Sequence, residues 1–143
     1  MKRILFVCVH NAGRSQMAEA FLNDLIRERG IDAEAQSAGT APGGQVNPVA
    51  VQAMQELGIS LAGHAPKLLT AEMAKASDRI ITMGCGVEAD MCPAGTYISE
   101  DWGLADPMGK SIEGVRSVRD AIQARVLALV DELENSSLRG TER

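Results

Sequence analysis

Cys8-Val9-His10-Asn11-Ala12-Gly13-Arg14-Ser15 follows directly on the apolar run Ile4-Leu5-Phe6-Val7 and precedes a stretch with helical spacing. Residues 3–7 read as a buried strand, and Ser15 to about Arg29 as a helix stopped by Gly30. The octapeptide therefore leaves the carboxyl end of a strand and feeds a helix. A loop in that place can turn successive backbone N–H groups inward, and the helix N-terminus adds partial positive charge. This makes Val9, His10, Asn11, Ala12, Gly13, Arg14 and Ser15 candidate ligands of a tetrahedral oxyanion. Gly13 permits tight curvature and Asn11 tolerates left-handed geometry. Arg14 offers a planar fork for two oxygens, and Cys8 at the base would be stabilised as a thiolate by the same donors. A bare C-x5-R spacing also fits a buried cysteine beside an ordinary turn; the strand before and the helix after favour chemistry. His10 by itself reads as a loop or packing residue.

Outward from this loop, strand and helix signals alternate. Ala33 to Ala38 reads as a second strand closed by Gly39, and Ala41-Pro42-Gly43-Gly44 as a loop. Asn47-Pro48 reads as an N-cap and first helical residue, with Ala50, Val51, Met54 and Leu57 on one face and Gly58 as the stop. Thr70 can cap a short helix to about Ala76, and Arg79 to Met83 is a further buried strand. Gly84 to Gly109 is mostly loop, with a short strand expected near Tyr97. The last helix begins at Ser111 and carries Val115, Val118, Ile122, Val126, Leu129 and Leu133 at helical spacing. Residues 134–143 are expected to fray. Such alternation predicts one α/β domain over residues 1–143. Its sheet should be four-stranded, mainly parallel and flanked by helices, with the site at the carboxyl ends of the strands.

A chain of 143 residues suits one globular domain, and 45% hydrophobic with 23% charged residues supply a core. The net charge of −5 argues against nucleic acid or an anionic membrane as partner, so an anionic substrate needs a local positive site. The apolar run at residues 4–7 is too short for a signal peptide or a membrane span. A cytoplasmic protein, by default a monomer, is expected. In a reducing compartment its three cysteines are more often catalytic, metal-binding or inert than structural disulfides.

Cys85 and Cys92 flank a glycine- and acid-containing segment. Were that stretch helical, their Cα atoms would lie about 10–11 Å apart, whereas a disulfide needs roughly 4.4–6.8 Å. A bridge would require the turn between them to loop out, which Gly86, Glu88 and Asp90 make cheap. Two separate buried cysteines fit equally on spacing alone, while a zinc site would want closer pairs and more ligands. Asp106 precedes Pro107, which stiffens its loop; a carboxyl held so can serve as a general acid, though Asp-Pro is by itself a common turn. Trp102 reads as packing that props this loop.

Taken with Asp106-Pro107, the Cys8 loop resembles the low-molecular-weight protein tyrosine phosphatase family. That resemblance implies the family's fold, with Cys8 as nucleophile, Arg14 as oxyanion ligand and Asp106 as the acid for the leaving group. Arg14-Ser15-Gln16-Met17-Ala18-Glu19, Ser37-Ala38-Gly39, Asn47-Pro48, Cys85…Cys92 and Asp101-Trp102-Gly103 through Asp106-Pro107, with Gly109-Lys110, resemble its arsenate reductase branch. The narrower resemblance implies arsenate as substrate in a detoxification reaction, a relay through Cys8, Cys85 and Cys92, and neither an organic cofactor nor a catalytic metal. It also implies a thiol reductant. Thioredoxin is expected, with mycothiol or glutathione plus glutaredoxin as alternatives, because residues 47–69 and 82–86 also resemble forms that use low-molecular-weight thiols. Members of this branch often hold potassium with residues matching Asn11, Glu19 and Ser37 plus an aspartate, but Lys67 stands where the aspartate would be. Lys67 either fills the positive slot opposite Glu19 or is a solvated surface charge, and bound potassium is not expected. The rival reading is a phosphatase for phosphotyrosine working through a Cys8 phospho-enzyme. Against it stand the few aromatics, Phe6, Phe21, Tyr97 and Trp102, and the lack of a tyrosine beside Asp106-Pro107. Weak activity on small aryl phosphates is still expected. An inactive oxyanion-binding domain is the third reading.

Overall fold

A computed structural model describes residues 1–83, 100–104 and 109–141, with side chains through residue 135. Its four strands are β1 (Lys2–Cys8), β2 (Ala33–Gly39), β3 (Arg79–Thr82) and β4 (Glu100–Asp101). They form one sheet in the order β2-β1-β3-β4, every pairing parallel. Among the described residues the helices are α1 (Arg14–Arg29), α2 (Pro48–Gln55), α3 (Ala71–Ala76) and α4 (Ile112–Thr141). No helix among the described residues is long and apolar enough to cross a membrane.

β1 is central, and its sequence shows why. A strand covered on both faces needs apolar side chains at every position rather than at alternate ones. Ile4, Phe6 and Cys8 point into the larger core with α1 and α4, while Leu5 and Val7 point to the other face, against Leu69, Ala74 and Ile80. All five of residues 4–8 are at most 3% exposed. From β1 the chain crosses to β2 on one side and later returns to β3 on the other. Such a reversal opens a crevice at the carboxyl ends of the strands, and the loop after Cys8 leaves the sheet there.

Local signals set most helix ends. Gly30 closes α1 at φ 64, a left-handed cap that glycine adopts without steric cost. Asn47 accepts from the Val49 amide ahead of Pro48, and Thr70 accepts from Met73. The α4 stripe is buried as its spacing predicts, from 0% at Val115, Ile122 and Val126 to 8% at Leu133.

Three expectations need correction or placement. Leu57 is 41% exposed, because α2 ends at Gln55 and the tighter turn at 56–58 carries residue 57 out of helical phase. The backbone of α4 runs to Thr141, seven residues beyond Glu134, where a tail was expected to begin. The short strand lies at Glu100–Asp101, whereas Tyr97, around which it was expected, lies outside the described residues. An ion cluster around one buried arginine carried no sequence signal. Arg119, 8% exposed, donates to the Ala53 carbonyl and to Glu56, tying α2 to α4.

Candidate active site

Five residues separate the end of β1 at Cys8 from the start of α1 at Arg14, and neighbouring backbone fixes their path. The carbonyls of Cys8, Val9, His10 and Ala12 accept from the amides of Thr40, Ala41, Gly43 and Asn47 at 3.3, 2.8, 2.9 and 2.7 Å. A trans peptide points its N–H opposite to its C=O. Carbonyls drawn outward therefore turn the following amides inward. The Asn11 N–H is one of these, donating to Cys8 Sγ at 3.2 Å. The left-handed step in the loop falls on Asn11, at φ 50.

Gly39 makes this packing possible. A Cβ there would lie 2.5 Å from the Val9 carbonyl oxygen and 3.0 Å from Asn11 Cβ. The sequence marks Gly39 as the end of a strand and as part of the Ser37-Ala38-Gly39 resemblance; its close approach to the loop is a tertiary fact.

Cys8 is buried at 3% exposure. Ser15 Oγ lies 2.9 Å from its sulfur and accepts from Asn11 Nδ2 at 2.7 Å. With that lone pair engaged, the Ser15 hydroxyl hydrogen is available to the sulfur, and a thiolate can only accept. An amide and a hydroxyl at the sulfur, with the N-terminus of α1 beside them, favour the thiolate over the thiol. Ser15 thus touches the candidate nucleophile as well as belonging to the candidate oxyanion loop.

Arg14 is 6% exposed, and its Nη1 donates to the carbonyls of Met83 and Leu104 at 3.1 and 2.9 Å. Two backbone anchors from the ends of neighbouring strands set the plane of the guanidinium. Cys8, His10, Ala12, Gly13 and Arg14 share a cavity of about 390 Å³ whose facing wall is Gly43, Gly44, Gln45 and Asn47. No aromatic side chain lines it among the described residues. His10 is exposed and its Nδ1 lies 3.2 Å from the Ala41 carbonyl, so Nδ1 carries the hydrogen. Asp106, Cys85 and Cys92 lie outside the described residues.

The residues matching the potassium set are close together but turned to protein partners. Asn11 Oδ1 accepts from Gln16 Nε2 at 3.1 Å and from the Lys67 amide at 2.9 Å. Ser37 Oγ donates to Glu19 at 3.3 Å, and Lys67 Nζ stands 3.6 Å from the same carboxylate oxygen. A cation at Glu19 would meet the Lys67 ammonium, so this donor set does not fit potassium. Gln16, quoted in the sequence only as part of the Arg14–Glu19 stretch, and His64 complete the back of the loop, a role that nothing in the sequence marks.

A strand-end cysteine, an inward amide, an anchored arginine and a helix N-terminus around one cavity form a candidate site for a tetrahedral oxyanion. The chain belongs to the low molecular weight phosphotyrosine protein phosphatase family, whose model matches residues 3–138. Among its relatives, it is 37% identical over 127 residues to the arsenate reductase of Staphylococcus xylosus, covering 87% of this chain and 93% of the relative. The structure of an arsenate reductase in the phosphate binding state matches with TM-score 0.81 and 34% identity, covering 93% of this chain and 99% of that one. The thioredoxin-dependent arsenate reductase of Corynebacterium glutamicum matches with TM-score 0.75 and 34% identity, covering 95% of this chain and 63% of that one. Family and fold agree with the four-stranded α/β domain expected from the sequence.

Proposed function

We propose that the protein reduces arsenate to arsenite, with Cys8 as nucleophile. The observation that carries this reading is the Cys8 sulfur held by Asn11 N and Ser15 Oγ beside a cavity that Arg14 also lines. Arsenate binds the loop amides and Arg14. Cys8 thiolate adds to arsenic, and one arsenic–oxygen bond breaks, its oxygen leaving as water with a proton from Asp106. Cys85 thiolate then attacks Cys8 Sγ. The sulfur–arsenic bond breaks and its electron pair stays on arsenic, which leaves as arsenite while a Cys8–Cys85 disulfide forms. Cys92 attacks Cys85, returning Cys8 as thiolate and leaving a Cys85–Cys92 disulfide. A thiol reductant, thioredoxin in the first instance, supplies the two electrons that reopen it.

The roles of Asp106, Cys85 and Cys92 rest on sequence resemblance, and the thioredoxin-dependent relative supports that reductant. Phosphomonoester hydrolysis would use the same first step, in keeping with the family. Among the described residues no aromatic side chain lines the cavity, so none of them is placed to stack on a flat aryl ring. Cys8→Ser should abolish both arsenate reduction and aryl phosphate hydrolysis, while Cys92→Ser should release about one equivalent of arsenite and stop. Sustained arsenate turnover by a folded Cys8→Ser chain would falsify the mechanism. Efficient phosphotyrosine turnover with no arsenite release by the wild type would transfer the site to the phosphatase reading.

A further inference from the structure

Gln16 is 1% exposed and stands outside the cavity that Cys8 lines, yet its amide is bonded at both ends. Nε2 donates to Asn11 O at 3.1 Å, to Asn11 Oδ1 at 3.1 Å and to Ala65 O at 3.2 Å. Oε1 faces His64 Nδ1 at 3.0 Å. That nitrogen also lies 3.0 Å from Glu19 Oε2. Both of its partners are acceptors, so Nδ1 carries the hydrogen and shares it between them. Glu19, 7% exposed, is held in turn by Ser37 and Lys67.

The residue that Gln16 grips twice is, among the described residues, the side-chain-bearing one at positive φ. Asn11 sits at φ 50, and everything it does for the nucleophile depends on that turn. Its amide reaches Cys8 Sγ and its Nδ2 reaches Ser15 Oγ, the second group on the sulfur. We infer that Gln16 is a positioning residue: it locks Asn11 in the left-handed turn that aims both donors at Cys8, with His64 and Glu19 as its rear anchor. The inference rests on the reading of Cys8 as the nucleophile. Of the described charged and titratable groups, Arg14 and His10 line the cavity beside the thiol, and Glu19, His64 and Lys67 surround the lock.

Loss of the lock should loosen the two donors and disfavour the thiolate. The test is the pH dependence of Cys8 alkylation by iodoacetamide in chains whose Cys85 and Cys92 are serine, so that one thiol of the three remains. No arsenate, phosphate ester or reductant takes part, so the readout is separate from the proposed reaction. Gln16→Met keeps the length and the apolar stem but removes the hydrogen bonds. It should raise the alkylation midpoint by about one pH unit, lowering the rate about tenfold well below the midpoint. His64→Ala, at a position 26% exposed in its side chain, should shift it in the same direction by less. A folded Gln16→Met chain with the wild-type midpoint makes Gln16 a packing residue and overturns the inference. Should Gln16→Met fail to fold, His64→Ala decides: a raised midpoint supports the lock and an unchanged one overturns it. A wild-type Cys8 that ionises as an ordinary thiol overturns both the lock and the nucleophile.

Discussion

Replacing Gly39 with alanine would bring a methyl carbon to 2.5 Å from the Val9 carbonyl oxygen and to 3.0 Å from both Cβ and N of Asn11. The φ of Gly39 is not positive, so the penalty is one of contact, not of backbone conformation. Ordinary contact begins at 3.4 Å, so either the loop or the strand must retreat by about 0.9 Å. The strand is poorly placed to do so. Gly39 pairs with Cys8 across the sheet, its amide donates to Lys67 O at 2.8 Å, and its carbonyl accepts from Leu69 N at 2.8 Å. The nucleophile loop must therefore give way, and the atoms it moves include the amide that donates to Cys8. Overpacking of this kind typically costs about 1–3 kcal/mol. A displacement near 1 Å at a catalytic group can cost about 100-fold in rate. Gly39→Ala should accordingly fold, with its urea midpoint lowered, and lose about two orders of magnitude in kcat/KM for arsenate and for an aryl phosphate alike. Gly43→Ala is the stability control. Its nearest neighbours lie at 3.9 Å, and its unfolding free energy should stay within about 0.5 kcal/mol of wild type. Wild-type kcat/KM in Gly39→Ala, with unchanged urea unfolding, would show that this contact does not hold the loop.

Other perturbations test the scaffold and the charges behind it. Ile122→Ala, at a side chain 0% exposed in the α4 stripe, should cost about 2–5 kcal/mol in denaturant unfolding; a loss below that range would mean the core collapses around the gap. Hydrogen bonds from Arg116 and then Arg119 hold the Glu56 carboxyl down from 4.5 to about 2. Its contribution to stability is therefore complete above pH 4.5 and lost as pH falls through about 2, so Glu56→Gln should flatten the stability profile across that window. Equal acid sensitivity of variant and wild type would remove Glu56 from the account. Because Lys67 Nζ stands at Glu19, exchanging potassium for sodium at fixed ionic strength should leave turnover nearly unchanged; several-fold potassium activation would show that Lys67 yields its place.

What the sequence made legible is what short-range physics determines. The uninterrupted apolar run of β1 announces a strand covered on both faces, and the spacing from Val115 to Leu133 announces one buried helical stripe. Asn47, Thr70 and Gly30 act through partners within four residues, so their capping roles could be read directly. The path of the loop from Cys8 to Arg14 belongs to this legible part, since a strand end, five residues and a helix start are a local arrangement. Leu57 misled because the turn that ends α2 two residues earlier has no marker stronger than Gly58.

The support of the site was hidden for a different reason. Arg14 is oriented by the carbonyls of Met83 and Leu104, and Gln16 is seated partly on those of Asn11 and Ala65. Every residue has a backbone carbonyl, so no side-chain pattern marks which of them will serve as an anchor. Gly39 poses the same problem in reverse, since a glycine that ends a strand and a glycine that makes room for a catalytic loop are the same letter. Asp106, Cys85 and Cys92 became candidates only through resemblance, because Asp-Pro and widely spaced cysteines are ambiguous when read singly. Chemistry that needs a strand end and a helix start can thus be read along the chain. The precision of that chemistry depends on backbone atoms and on the space left by an absent side chain, and these become visible only when distant segments meet.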